Sequence, residues 1–268
     1  MFIKIFIILV SVYIIILALI MIFANRFIFF PPAPGYQDTD KNIIKLTLPN
    51  GLRISALYLH NPKARYTLLY SHGNAEDLGT VRYRIANYLD AGLSVFTYDY
   101  PGYGTSQGHP NETTVYQSIL TAYRYLTEDL AISPSNIIAY GFSVGCAPTL
   151  ELATQKPLAG IILQSPFLSA LRVVTYVTVF PWDVFDNYKK IDQIKSPILI
   201  YNGAADEIIP PYHGRILWKK APERKTYIEI PQADHNNFIH LSGQAYWDAL
   251  HQFIKSLEQQ RVTQKIFE

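Results

Sequence analysis

Asn136-Ile137-Ile138-Ala139-Tyr140-Gly141-Phe142-Ser143-Val144-Gly145 passes from a short apolar run directly into Gly-x-Ser-x-Gly, and helical spacing follows over 144–153. By itself the five-residue string is weak, since it would arise by chance in roughly one in ten chains of this length. Its context makes it specific. A strand over 136–140, a sharp turn and then a helix present the serine hydroxyl in a strained, exposed position, with the two glycines leaving room for the turn. Ser143 is therefore the candidate nucleophile. The alternative is a packing turn that happens to contain a serine, and the two are separated by whether partners for the serine occur downstream.

Working outward, short and nearly continuous apolar runs recur at 66–71, 94–98, 160–164, 197–201 and 226–230. Such runs predict strands buried on both faces. Residues 42–48 and 52–60 flank the turn signal Pro49-Asn50-Gly51 and predict an antiparallel hairpin at the start of the domain. Helical spacing occupies 78–89, 113–130, 144–153, 212–220 and 241–256. Alternating strands and helices predict a mostly parallel sheet with helices packed on it. One connection, 168–195, is longer and more irregular, carrying Phe180-Pro181-Trp182, Phe185 and Tyr188. It is a candidate lid, with an ordinary pair of crossover helices as the alternative.

A serine hydroxyl at neutral pH needs a base, and that base needs a carboxylate to hold its tautomer. In a strand-turn-helix arrangement of this kind the chain order is serine, acid, histidine. Asp206 follows the strand ending at Tyr201, within Asn202-Gly203-Ala204-Ala205-Asp206-Glu207. Glu207 and Asp183 are its rivals, but Glu207 lies one position along and Asp183 sits in the candidate lid, so Asp206 is the candidate acid. His235, in Gln232-Ala233-Asp234-His235-Asn236-Asn237, lies between the last strand and the last helix and is the candidate base. His60, His109, His240 and His251 have no loop signature and read as surface or packing residues, while His213 is a candidate pocket residue.

Ser71-His72-Gly73-Asn74-Ala75 ends a central strand, where two backbone amides are needed to hold a developing oxyanion. Asn74 and Val144, the residue after the nucleophile, are the candidate donors, with His72 shaping the loop. Asp99-Tyr100-Pro101-Gly102-Tyr103-Gly104-Thr105-Ser106 lacks the Gly-Lys-Ser/Thr ending of a phosphate loop and does not match Gly-x-Gly-x-x-Gly, so it reads as a structural turn at the rim of the site. Cys146 lies one helical turn beyond Ser143 and reads as a small buried helix residue. No group of His, Asp and Glu has metal-ligand spacing, and no cofactor is implied.

The chain has 268 residues, of which 49% are hydrophobic and 16% charged, enough for one large domain with a sizeable core. A net charge of +2 without a basic run argues against nucleic acid as a partner. A single cysteine excludes an intramolecular disulfide and any multi-cysteine metal site.

The apolar excess is concentrated at the N-terminus. From Ile5 to Asn25 there is no charge, and at 1.5 Å per residue a run of about twenty spans roughly 30 Å, the thickness of a hydrocarbon core. We expect an uncleaved signal anchor over 1–26, with a buried core helix or a cleaved signal peptide as alternatives. The apolar run exceeds a signal peptide's usual core, and Ile22-Phe23-Ala24 lacks its small-residue spacing. The amino terminus and Lys4 face Arg26, Lys41 and Lys45, a nearly tied balance of charge, and the expectation weakly prefers the amino terminus inside and the large domain on the non-cytoplasmic side. Phe27 to Phe30 and Pro31, Pro32 and Pro34 then read as an aromatic collar and a stiff linker over 27–41.

Taken together these motifs resemble the α/β-hydrolase superfamily over essentially everything after the anchor. Ser71-His72-Gly73-Asn74-Ala75-Glu76-Asp77-Leu78-Gly79, Tyr98-Asp99-Tyr100-Pro101-Gly102-Tyr103-Gly104, Gly141-Phe142-Ser143-Val144-Gly145 and Ser165-Pro166-Phe167 are similar to α/β-hydrolase-domain proteins that include protein depalmitoylases and bud-emergence-type membrane-anchored hydrolases. The resemblance implies Ser143, Asp206 and His235 as a triad acting on esters or thioesters, with acyl groups on proteins or lipids as candidate substrates. The chain departs from that pattern twice. Those depalmitoylases attach to membrane through an acylated, cysteine-rich amino terminus, whereas no cysteine precedes Cys146 here. The small residues usual before the catalytic histidine are Ala233 and Asp234, and Asp234, if close, would raise the pKa of His235.

The expectation is therefore an α/β-hydrolase fold over 42–268: a mostly parallel sheet opened by an antiparallel hairpin, helices on both faces, a small lid, and one transmembrane helix before it. Its expected activity is acyl ester or thioester hydrolysis through an acyl-enzyme. The alternatives are a serine peptidase of the same fold and a catalytically silent scaffold that binds a lipid or protein.

Overall fold

The computed structural model describes residues 2–175 and 183–267, apart from the side chains of 16–24, 27 and 262–267. In chain order its elements are α1 (Phe2–Ile28), β1 (Ile43–Thr47), β2 (Arg53–Leu59), β3 (Thr67–Ser71), α2 (Leu78–Asp90), β4 (Ser94–Tyr98), α3 (Glu112–Arg124), β5 (Ile137–Phe142) and α4 (Cys146–Gln155). They continue with β6 (Gly160–Gln164), α5 (Ala170–Thr175), α6 (Asn187–Lys190), β7 (Ile198–Gly203), α7 (Tyr212–Lys220), β8 (Lys225–Ile230), α8 (Phe238–Ser242) and α9 (Gln244–Phe267).

The strands form one sheet in the order β1-β2-β4-β3-β5-β6-β7-β8. Only β1 with β2 and β2 with β4 pair antiparallel, and the other pairs are parallel. The expected hairpin is present, closed at Leu48 and Leu52 around Gly51, which turns with φ +84°.

Alternation along the strands divides the interior into two cores. Leu69, Ile137, Ala139, Ile161 and Ile200 face α3, α4 and α7, joining Ile119, Leu150 and Leu217. Their neighbours Leu68, Ile138, Tyr140, Ile162 and Tyr201 face α2 and α9, joining Val81, Ile85, Tyr246 and Leu250. At about 25 cal/mol per Å² of apolar area, such two-sided burial dominates stability. The edge strand β8 is only partly buried, which departs from the expectation of strands covered on both faces.

Helix starts follow their capping chemistry. Asp77 and Asn111 each accept the backbone N–H of a threonine three residues on, Thr80 and Thr114, whose side chains return the bond. The helical stretch expected over 113–130 is shorter: α3 stops at Arg124 and a wider π turn follows over Tyr125–Asp129. The stretch expected over 241–256 is two helices, broken at Gly243 with φ +51°.

α1 extends from Phe2 to Ile28 over the expected anchor, and its described side chains are exposed and apolar from Phe2 to Ile15, apart from Lys4 and Ser11. Among the described residues no helix is long and apolar enough to cross a membrane. The middle of the expected transmembrane segment, 16–24, is outside the described side chains.

The linker departs from a free collar and spacer. Phe29 is buried with its ring 5.8 Å from that of Phe185, the Gly35 amide donates to Asp77 at 2.5 Å, and the Tyr36 hydroxyl donates to Asp99 at 2.6 Å. Apolar burial and two buried carboxylate acceptors hold it against the sheet.

In the candidate lid, α5, α6 and a 3₁₀ turn at Ile191–Gln193 are present, and Phe180-Pro181-Trp182 lies outside the described residues.

Candidate active site

β5 ends in the turn that carries Ser143. Ser143 has φ +53°, a left-handed conformation that an L-residue adopts at a cost of about 1–2 kcal/mol. The flanking glycines permit the close approach this requires. A Cβ at Gly145 would fall on the Ser71 carbonyl, and one at Gly141 would come within 2.6 Å of Cys146 Cα. The first turn after the serine is 3₁₀, Ser143–Gly145, before α4 begins.

His235 and Asp206 come to this serine from two other loops. His235 Nε2 lies 3.0 Å from Ser143 Oγ, and His235 Nδ1 lies 2.8 Å from Asp206 Oδ2. The other oxygen of Asp206 accepts the amides of Ile208 at 3.0 Å and Ile209 at 2.7 Å, so the carboxylate is held in one orientation. All three residues are buried, which strengthens the hydrogen bonds and limits exchange with water. The rivals for the acid are placed otherwise. Glu207 is exposed, and Asp183 accepts from Ser169 Oγ and the Leu171 amide.

Asp234, beside the histidine, caps the loop: its carboxylate accepts the amides of Asn236 at 2.8 Å and Asn237 at 2.9 Å. These bonds hold its carboxyl below the ordinary range. The Phe142 ring lies 5.1 Å from that of His235.

Asn74 and Val144 both line the cleft above Ser143. The loop around Asn74 is braced from several sides. Its side-chain oxygen accepts the hydroxyl of Tyr103 at 2.6 Å and the amide of Phe30 at 2.9 Å, and its nitrogen donates to the Ile28 carbonyl at 2.6 Å. Glu76 accepts the Gly73 amide at 2.7 Å and pairs with Arg84 at 2.6 Å. Burial would raise the Glu76 carboxyl, but Arg84 outweighs it and holds it below its usual value.

His72 is fully buried behind the same loop, with Nε2 3.2 Å from Asp99 and Nδ1 2.8 Å from the Gly73 carbonyl. Burial alone would lower its pKa, and Asp99 more than reverses that. The Tyr100 and Tyr103 rings lie 4.4 and 5.6 Å from the imidazole, and the Tyr100 hydroxyl donates to the His72 carbonyl. The glycine-rich turn after β4 is thus the support beneath the Asn74 loop.

His60, His109, His240 and His251 are exposed, in line with their blander reading. His213 does not line the cleft; it is buried on α7 and accepts the Leu168 amide at Nδ1, 3.2 Å away. Cys146 is buried, its thiol pushed well up by desolvation and donating to the Gly141 carbonyl at 3.1 Å. Among the described residues no group of three or more His, Cys, Asp or Glu could hold a metal.

The cleft over Ser143 has a volume of about 990 Å³, at the upper end of ligand pockets, and its walls are mainly apolar: Phe142, Phe167, Leu171, Val173, Val174 and Ile209. Ile28 and Phe30, from the end of α1 and just beyond it, complete the lining, a contribution that local spacing gives no sign of.

Comparisons with known proteins bear on the family and the fold. A family model described as serine aminopeptidase, S33, matches residues 62–182. Mouse α/β-hydrolase domain-containing protein 17C is 40% identical over 199 residues, covering 72% of this chain and 61% of the relative. Human α/β-hydrolase domain-containing protein 17B is 37% identical over 229 residues, covering 82% and 78%. The Caenorhabditis elegans α/β-hydrolase domain-containing protein aho-3 is 33% identical over 261 residues, covering 86% and 77%. The chain thus spans about three fifths of the length of the mouse protein. Among solved structures, a Pyrococcus furiosus esterase superposes with a TM-score of 0.71 at 16% identity, over 84% of this chain and 96% of that one. An α/β-hydrolase from Vibrio vulnificus superposes with a TM-score of 0.64 at 24% identity, over 80% and 82%. At those identities the superpositions speak to the fold.

Proposed function

The chain belongs to the α/β-hydrolase domain-containing proteins, and from that premise we propose that it is a serine hydrolase cleaving acyl ester or thioester bonds through Ser143, His235 and Asp206. The observation that carries this reading is the unbroken hydrogen-bonded line from Asp206 through His235 to Ser143, ending on the floor of a large apolar cleft.

Ser143 Oγ attacks the acyl carbonyl as its proton passes to His235 Nε2, and Asp206 stabilises the imidazolium that results. The carbonyl oxygen takes up negative charge, which the backbone amides of Val144 and Asn74 receive; losing one such donor typically costs about 2.7 to 4 kcal/mol. Collapse of the tetrahedral species breaks the bond to the leaving alcohol or thiol, which takes the proton from His235. Water then attacks the acyl-enzyme with His235 again as base, releasing the acid and restoring Ser143.

The apolar walls favour an acyl chain over a peptide. A peptidase removing N-terminal residues needs a carboxylate free to hold an ammonium group, and the cleft's Glu76 is already committed to Arg84 and Gly73.

The α1 helix is read as a single-pass anchor, with the catalytic domain on the non-cytoplasmic side. Support comes from its uncharged run, Ile5 to Asn25, and from the exposed apolar side chains of its first half, which water would not leave bare. Retention of the full chain in membranes after alkaline washing, with protease protection to assign the side, tests this part.

The activity is tested by fluorophosphonate labelling of the full-length protein in detergent, beside Ser143→Ala, followed by turnover of p-nitrophenyl esters. Labelling that disappears in Ser143→Ala is expected. A folded wild-type protein that neither labels nor turns over would leave a binding scaffold as the better account.

A further inference from the structure

Two residues at the end of α1 and just beyond it reach the candidate site from far away in sequence. Ile28 and Phe30 line the cleft, while Phe29 between them points the other way, buried against Phe185. That alternation fixes which side of the segment faces the site. Phe185 belongs to the return of the candidate lid, and its amide donates to Glu112 at the start of α3. Phe29 is thereby plugged into the body of the domain.

The other attachment is Asn74. Its side chain spans the segment, donating to the Ile28 carbonyl at 2.6 Å and accepting the Phe30 amide at 2.9 Å. Tyr103 adds a third bond at 2.6 Å from behind. The side chain that grips residues 28–30 therefore belongs to the residue whose backbone amide is assigned to the oxyanion. At the mouth of the cleft Phe30, Val174 and Ile208 are 56%, 77% and 54% exposed. Those three are half of the six large apolar side chains described as exposed outside α1. An acyl chain lying between them would cover apolar surface that otherwise faces water.

We propose that residues 28–30 are part of the acyl site, Ile28 and Phe30 forming a wall that sets the acyl length accepted and Asn74 acting as the positioning residue that ties this wall to the oxyanion loop. The proposal rests on the serine hydrolase reading and adds a specificity element outside the sheet and the triad. Its physical consequence is coupling. A change in the register of α1's end shifts the wall and, through two hydrogen bonds to one amide group, the loop that holds the Asn74 backbone.

The test uses the full-length chain in detergent, with p-nitrophenyl butyrate and dodecanoate as substrates and fluorophosphonate titration to count active serines. In Phe30→Ala and Ile28→Ala, the dodecanoate-to-butyrate ratio of kcat/KM is expected to change about tenfold, the scale of one apolar contact in a specificity pocket. Tyr83→Ala, on an exposed face of α2, serves as the control and keeps the wild-type ratio. In Asn74→Ala, kcat per titrated serine is expected to fall at least about tenfold for both esters, as for weakened oxyanion donation. Counting per active serine separates this from simple loss of folded protein. If Asn74→Ala does not fold, Tyr103→Phe removes one of its restraints and is expected to lower kcat in the same way. Normal titration with an unchanged length ratio in both wall variants, or an unchanged kcat per serine in the Asn74 and Tyr103 variants, overturns the proposal and leaves the hydrolase reading standing. Failure of folded wild type to label overturns the hydrolase reading itself.

Discussion

Asp206 divides its two carboxylate oxygens between His235 and its own loop: Oδ2 lies 2.8 Å from His235 Nδ1, while Oδ1 accepts the Ile208 and Ile209 amides. The loop thus orients the acid, and the acid orients the imidazole. In Asp206→Asn the amide can still meet the loop but can donate to Nδ1, which reverses the tautomer and leaves Nε2 unable to take the serine proton. The expected result is a fall in kcat of about 10⁴ with a nearly unchanged fold. Steady-state hydrolysis of p-nitrophenyl butyrate measures it, and a loss below about tenfold would remove Asp206 from the triad.

Ser143 is held with φ +53°. Glycine adopts that conformation without the Cβ penalty, so Ser143→Gly is expected to abolish turnover and yet stabilise the protein by about 1 kcal/mol. That corresponds to a rise in Tm of about 2–4 °C. Thermal unfolding followed by circular dichroism reads the sign; a lower Tm would mean that the serine's bond to His235 outweighs the backbone strain.

His213 must be neutral to accept the Leu168 amide at Nδ1, and burial lowers its pKa to about 4. Its folded pKa lies below the unfolded value of about 6.5, so the unfolded chain binds more protons between those limits. The stability from this group is complete above pH of about 6.5 and is lost as pH falls toward 4. After discounting for solvent screening, the loss is about 2 kcal/mol. Urea unfolding at pH 7 and pH 5 should show it in wild type and much less of it in His213→Gln. Equal slopes in the two proteins would refute the assignment.

Asp99 is fully buried and joins three parts of the chain: it accepts Tyr36 Oη at 2.6 Å and the Leu78 amide at 3.0 Å, and lies 3.2 Å from His72 Nε2. Asp99→Ala leaves these donors unpaired in the interior and is expected to cost about 3–5 kcal/mol. The accompanying fall in Tm is on the order of 10 °C. A loss under about 1 kcal/mol would show that water takes the carboxylate's place.

Much of the arrangement was legible before any coordinates because it is written in local chemistry. Gly141 and Gly145 mark the turn that carries Ser143, with Gly145 packed against the Ser71 carbonyl, and Pro49-Asn50-Gly51 marks the hairpin. Continuous apolar runs located six strands and the turn signal the two of the hairpin, with β5 and β7 each starting one residue and ending two residues later than expected. The order of Ser143, Asp206 and His235 along the chain identified residues that lie within hydrogen-bond reach of one another. Periodicity was less informative where helices bend or break. Apolar spacing continues through the π turn after Arg124 and hides it, whereas the break between α8 and α9 falls at Gly243, a local signal that the helical spacing over 241–256 overrode.

The sequence by itself determined the two-faced parallel sheet, the elbow with its serine and the chemical identity of that serine's two partners, since these depend on alternation, turn residues and side-chain type within a few positions. Tertiary structure decided the rest. The loop after β7 turns the Asp206 carboxylate inward and leaves that of Glu207 exposed, and Phe29 became core instead of collar because Phe185 lies against it. The inclusion of Ile28 and Phe30 in the cleft depends on hydrogen bonds to Asn74, more than forty residues away. Long-range contacts of this kind arise only when the sheet has brought distant segments together, and no pattern of neighbouring residues encodes them.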